Sequence, residues 1–223
     1  MNPTFALMQY LIVGLGNIGP QYELTRHNIG FLVLDHLAAT LKAETFKLDK
    51  QAYYARASYK GRILNFIKPT TYMNLSGKAV RYWMQHLKIP RENILVITDD
   101  IAIPFGTLRM KGKGSGGGHN GLGNIQETLG TTDYPRLRFG VGDDFQKGRQ
   151  VDYVLGNFSP AEMAELPLLM DKAVQGVLSF CTVGLERSMN VVNTKEPKPE
   201  KPEKPKPATA QNPTTESTQT PEA

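Results

Sequence analysis

The chain alternates between short unbroken apolar runs and longer stretches in which apolar residues recur every three or four positions. Tyr10-Leu11-Ile12-Val13 is continuous and partly β-branched, the pattern of a strand buried on both faces. Gly14, Gly16 and Gly19 follow as a turn, and Phe31, Leu34, Ala38 and Leu41 then lie on one helical face, with Asn28 expected as the N-cap. Residues 52–59 and 62–67 are β-rich and joined by Lys60-Gly61, which predicts an antiparallel hairpin. Ser76 is the expected cap of a helix carrying Val80, Trp83, Met84 and Leu87, and residues 94–97 form another buried strand that ends in Thr98-Asp99-Asp100.

Residues 107–111 alternate in character and run into the glycine-dense segment 112–120, after which Asn120 is expected to cap a short helix with Leu122, Ile125 and Leu129. Residues 136–141 read as one more strand. Ser159-Pro160 opens the final helical region, where Pro167 marks a kink or a second start and Met170, Val174, Val177, Cys181, Leu185 and Met189 form one long apolar stripe. Strands alternating with helices, plus one hairpin, predict a single three-layer α/β/α domain around a twisted mixed, mostly parallel sheet.

Composition sets the limits of that domain. From Thr194 the sequence turns to Lys-Pro-Glu repeats and then to Thr, Gln, Pro and Ala, so residues 1–193 are expected to fold and 194–223 to form a disordered tail. The tail's lysines (195, 198, 201, 204, 206) balance its glutamates (196, 200, 203, 216, 222), which leaves the net charge of +5 to the folded part and hints at a polyanionic partner. No apolar run looks long enough to span a bilayer and the first eight residues do not resemble a signal peptide, so a soluble cytoplasmic protein without membrane contact is expected. The single Cys181 falls on an apolar helix face and reads as a small core residue.

Asn17, Asn74, Asp99 and Asn120 each follow a strand or open a helix, which in an open α/β sheet is the rim where ligands bind, and His27 can share it. A histidine whose second nitrogen faces a carboxylate can take a proton from water near neutral pH, and asparagine amides can donate to a developing oxyanion without adding charge. Other chemistries fit less well. The Gly14-x-Gly16-x-x-Gly19 run has the dinucleotide-binding spacing, but a dozen loop residues separate Gly19 from the helix and the acidic residue at the required distance, Asp35, lies inside it. Gly77-Lys78 is followed by Ala79 and not by the Ser or Thr of a P-loop, and Lys113 stands where a nucleophile elbow around Ser115 needs glycine. The four histidines (27, 36, 86 and 119) are scattered without metal-ligand spacing, so neither a metal nor a cofactor is expected. His36 and His86 read as surface residues, while Tyr22 and Tyr72 could be core aromatics and Arg109, Lys111 and Lys113 a solvated face.

Four motifs in order resemble the bacterial peptidyl-tRNA hydrolase family: residues 14–30 (Gly-Leu-Gly-Asn-x-Gly-x-x-Tyr-x-x-Thr-Arg-His-Asn-x-Gly), Pro69-Thr70-Thr71-Tyr72-Met73-Asn74-x-Ser76-Gly77, Gly116-Gly117-Gly118-His119-Asn120-Gly121, and Arg136-Leu137-Arg138-x-Gly140. The resemblance spans about residues 9–192. It implies cleavage of the ester between a peptide and the terminal ribose of tRNA, recycling tRNA from peptides dropped in translation. By motif position it implies His27 as general base, Asp99 as the carboxylate supporting it, and Asn17 as the residue that tells N-blocked from free aminoacyl groups. Tyr22, Tyr72, Asn74 and Asn120 match positions that bind the tRNA end or the peptide ester, and Arg109, Lys111 and Arg138 resemble phosphate contacts. A monomer is expected; the competing reading is a non-catalytic tRNA acceptor-end binding protein of the same fold. Ile18 stands where the family usually has Pro, and Ala102 where it often has an acidic residue.

Overall fold

The computed structural model describes residues 7–194. Strands β1 (Met8–Gly14), β2 (Lys47–Asp49), β3 (Ala52–Tyr59), β4 (Arg62–Pro69), β5 (Ile94–Asp100), β6 (Leu108–Lys113) and β7 (Asp133–Gly140) form one seven-stranded sheet in the order β2-β3-β4-β1-β5-β7-β6. The central strands β4, β1, β5 and β7 pair in parallel, while β2 with β3, β3 with β4 and β6 with β7 pair antiparallel. Parallel central strands send all their carboxyl ends to one rim, as the apolar runs at 10–13 and 94–97 predict.

Each central strand feeds two cores, because successive side chains point to opposite faces. Tyr10, Ile12, Leu95 and Ile97 pack beneath helices α1 (Ile29–Thr40), α5 (Pro160–Val183) and α6 (Leu185–Val192). Leu11, Val13, Ile94 and Val96 pack on the other face beneath α2 (Ser76–His86) and α3 (Asn120–Leu129). A short helix, α4 (Gln150–Val154), lies between β7 and α5. The result is the three-layer α/β/α arrangement expected from the alternation of elements.

Several local expectations are corrected. Asn28, Ser76 and Asn120 were each expected to cap a helix with the side chain. Asn28 does precede α1, but its amide spans the backbone of Asn17 instead, accepting from Asn17 N–H at 2.8 Å and donating to Asn17 O at 2.9 Å. Ser76 is already helical and its hydroxyl donates back to Met73 O at 2.8 Å. The N-cap of α3 is His119, whose Nδ1 accepts from Gly121 N–H and Leu122 N–H. A polar residue before a helix is only a competitor for the cap; the winner is fixed by backbone angle and by what else its side chain can reach.

Pro167 neither ends nor restarts a helix, since α5 runs through it; the long apolar stripe instead breaks at Gly184 (φ 84°) and continues on α6. Helix α5 is also, among the described residues, long and apolar enough to cross a membrane, contrary to expectation, although here Leu166, Leu169, Ala173, Val174, Val177 and Phe180 are buried against the sheet and α1. Cys181 is fully buried, and burial pushes its thiol pKa up to about 12. The tail beyond Thr194 lies outside the described residues.

Candidate active site

The glycines at the start of the chain serve packing. A Cβ on Gly14 would stand 2.3 Å from Gly30 O, and one on Gly30 would stand 2.5 Å from the backbone of Leu15 and 2.6 Å from Ile97 O. Strand β1 and the first turn of α1 therefore touch backbone to backbone. That contact seats the 3-10 turn Arg26–Asn28 over the end of β5, with Asn28 holding the Asn17 loop beside it.

Asp99, 5% exposed near the end of β5, receives two imidazoles on a single oxygen. His27 Nδ1 lies 2.9 Å and His119 Nε2 3.0 Å from Asp99 Oδ1. Since His119 Nδ1 accepts backbone N–H groups at 3.1 and 3.2 Å, its proton must reside on Nε2 and point at Asp99. His119 is thus a neutral donor. His27 donates from Nδ1, leaving Nε2 as a bare lone pair with no partner among the described residues.

Burial alone would raise the Asp99 pKa, but the two imidazoles packed against it, each with a hydrogen bond to its oxygen, hold its carboxyl well below the usual range. For His27, burial favours the neutral ring, yet the Asp99 charge and hydrogen bond outweigh it and raise the pKa above that of free histidine. The ionised carboxylate and a strengthened imidazole base are therefore one coupled unit. The histidines, scattered in sequence, converge here in part: the ligand atoms of His27, Asp99 and His119 lie within 4.8 Å of one another, close enough to hold a cation, and both imidazoles hydrogen-bond to Asp99.

A cleft of about 210 Å³ opens over this unit, lined by Asn17, His27, Asp99 and Asn120 and by the apolar side chains Met73, Ile101, Val151 and Val154. Two grooves lead from it. One runs past Asn17 between Tyr22, Tyr72 and Lys78; the other runs past Asn120 between Asn74 and the loop Gly116–Gly118. The side-chain amides of Asn17, Asn74 and Asn120 have no hydrogen-bond partner among the described residues, so all three are open to a ligand. Tyr22 is half-buried and Tyr72 is 81% exposed, which removes Tyr72 from the core. The basic residues are less uniform. Lys111 is exposed, Arg138 pairs with Asp100 beside the cleft, and Arg109 donates to Asn193 O at 2.7 Å.

Sequence reasoning missed two contributors. His119 stood inside the glycine-rich motif, but its contact with Asp99 across 20 positions exists only in the fold. Arg26 stood next to His27 and is a crosslink: it donates to the carbonyls of Gly156 and Asn157 and to Glu162 at 2.8 Å, beneath the ring of Tyr153 at 4.3 Å. It ties the turn that carries His27 to the segment that supplies Val151 and Val154 to the cleft.

Fold and cleft together describe an α/β protein equipped to activate water beside an amide-rich binding surface. Its relatives match that description. The peptidyl-tRNA hydrolase family profile covers residues 11–201. A peptidyl-tRNA hydrolase of Cytophaga hutchinsonii is 61% identical over 189 residues, covering 85% of this chain and 100% of that protein. That of Porphyromonas gingivalis is 56% identical over 186 residues, 83% of this chain and 100% of its own. The crystal structure of Acinetobacter baumannii peptidyl-tRNA hydrolase matches with a TM-score of 0.78 at 33% identity, covering 84% of this chain and 97% of that one. The chain belongs to the peptidyl-tRNA hydrolase family.

Proposed function

We propose that this enzyme hydrolyses the ester of N-blocked peptidyl-tRNA, releasing peptide and free tRNA, and that it works as a cytoplasmic monomer. The observation that carries the reading is the bare Nε2 of His27, held by an ionised carboxylate at the floor of a cleft ringed by open asparagine amides. His27 Nε2 takes a proton from water as the water oxygen attacks the ester carbonyl. Amide N–H groups of the cleft, with Asn120 the nearest on α3 to His119, stabilise the oxyanion. Collapse expels the ribose oxygen, which takes the proton back from the imidazolium that Asp99 has stabilised. Asn17 is assigned to the first peptide amide, where a free, charged amine would leave the site with an unpaired polar group.

The test is hydrolysis of N-acetylaminoacyl-tRNA by the purified chain, with His27→Ala beside it. Wild type should turn over, and the variant should lose about 100- to 10,000-fold in kcat while still binding tRNA. Binding without turnover in the wild type would leave a tRNA-end binding protein in its place.

A further inference from the structure

Two walls of the cleft come from distant parts of the chain. His27 stands on the 3-10 turn Arg26–Asn28, and Val151 and Val154 stand on α4. An ester seated between them is attacked by water on His27 Nε2, so the distance from turn to helix decides whether base, water and carbonyl carbon line up. Two supports of the turn face the sheet: the bond from His27 to Asp99 and the close approach of Gly30 to β1 and β5. A third support faces α4 and depends on Arg26.

Backbone pairing brings the two segments together. Thr25 bridges Asn157, Arg26 N–H donates to Gly156 O at 3.1 Å, and Phe158 N–H donates to Leu24 O at 3.4 Å. The Arg26 side chain fills the corner between them. Nη1 donates to Asn157 O at 2.7 Å and to Gly156 O and Tyr153 O at 3.4 Å, carbonyls at and just beyond the C-terminal end of α4. Nη2 lies 2.8 Å from a Glu162 carboxylate oxygen, which also accepts Ser159 N–H at 2.6 Å in the capping box of α5. The guanidinium lies over the Tyr153 ring at 4.3 Å, and Tyr153 Oη donates to Val141 O at 2.7 Å, one residue past β7. One planar fork therefore joins the base-bearing turn to the end of α4, the start of α5 and, through Tyr153, the end of β7.

We infer that Arg26 is a positioning residue for the reaction: its fork fixes His27 at a set distance from the α4 wall, and Glu162 is the counter-charge that holds the fork in place. The inference rests on the function proposed above and adds to it a residue that acts through His27. Placement of this kind enters the chemical step more than the affinity for substrate, because the open amides of Asn74 and Asn120 hang from other elements. Charge alone is not enough, since a lysine ammonium is a single point and cannot span the carbonyls and the carboxylate together.

The experiment compares Arg26→Gln with Arg62→Gln. Arg62 is a matched control: its guanidinium also spans carbonyls, of Lys60 at 2.9 Å and Thr182 at 3.1 Å, and also leaves a buried Nε without an acceptor among the described residues, but it stands at the amino end of β4, on the rim opposite the cleft. Both variants should melt earlier for the hydrogen bonds lost. On N-acetylaminoacyl-tRNA, well below melting, only Arg26→Gln should lose about 10- to 100-fold in kcat, with KM within about twofold of wild type. Arg26→Lys should recover part of the melting temperature without recovering kcat, and Arg26→Gln/Glu162→Gln should be no slower than Arg26→Gln, as expected of two residues acting as one unit. The seating of the base is read from the proton resonance of His27 Nδ1–H in its bond to Asp99, assigned by its absence in His27→Ala; it should persist in Arg62→Gln and exchange faster with water in Arg26→Gln. Equal kcat in Arg26→Gln and Arg62→Gln, or full recovery of kcat by lysine, would overturn the assignment and leave Arg26 a stabilising crosslink. Should Arg26→Gln fail to fold, Glu162→Gln, which keeps an acceptor for Ser159 N–H, carries the same comparison with a smaller loss of kcat expected, and wild-type kcat there overturns the assignment as well. A wild type that cleaves no ester would overturn the hydrolase reading instead, and the His27 resonance would then decide the role of Arg26 on its own.

Discussion

Asp99 receives two N–H groups on one oxygen, and the proton each imidazole carries decides what the site can do. His27 with a raised pKa is a stronger base but stays protonated to higher pH, so the acid limb of kcat/KM should lie above the value of about 6.5 for free histidine. Asp99→Asn removes the charge that raises it and leaves burial, which lowers it. The limb should therefore move to lower pH, with a plateau reduced by less than in His27→Ala; a pH profile of the variant that keeps the wild-type limb would remove Asp99 from the base. His119 has two jobs, donor to Asp99 and cap of α3, and they are separable. His119→Asn keeps an acceptor for the cap, whereas His119→Phe loses it at about 0.5–2 kcal/mol. Phe has no N–H and the shorter Asn amide places none where Nε2 lies, so both lose a bond to a charged acceptor worth about 1.5–3 kcal/mol, and both should lose at least about tenfold in kcat while only the Phe variant melts markedly earlier.

At the scale of elements, the site depends on how closely α1 approaches β1 and β5. Gly30→Ala would drive a methyl group into the backbones of Leu15 and Ile97, where no side chain can yield. Overpacking of this kind costs about 1–3 kcal/mol or more, and thermal melting should fall by several degrees, with activity falling too because the displaced helix carries His27 on its preceding turn. The strands that build this contact were legible because a strand buried on both faces needs an unbroken apolar run, as at Tyr10–Val13 and Ile94–Ile97. Strand β2 was not, since Lys47, Leu48 and Asp49 are all exposed on an edge and carry no pattern. Helix α4 escaped for a similar reason: among its five residues only Val154 is buried. Asn17, His27, Asp99 and Asn120 could be placed on one rim because topology puts strand ends together. The meeting of His119 with Asp99 could not, since it depends on the path of a glycine-rich loop with positive φ at Gly114, Gly117 and Gly118.

For the whole molecule, one side chain near the end of the described residues covers the open edge of β6. Asn193 pairs with the open edge of β6 as a neighbouring strand would, accepting from Met110 N–H at 2.8 Å and donating to Met110 O at 2.9 Å, while its own carbonyl takes Arg109. An uncovered edge strand is a template for pairing with another chain, and this amide blunts it. The tail that follows is proline-rich and neutral and has no large apolar residue to bury. Cutting after Thr194 should therefore leave melting temperature, turnover and oligomeric state at wild-type values. Cutting two residues earlier, after Val192, also removes the clasp; losing two or three hydrogen bonds at about 0.5–1.5 kcal/mol each should lower the melting temperature by several degrees and favour self-association through β6. Differential scanning calorimetry and light scattering on the two truncations separate these effects. If the longer product melted early as well, the tail would have to contribute to the fold, and the domain boundary would lie beyond Asn193.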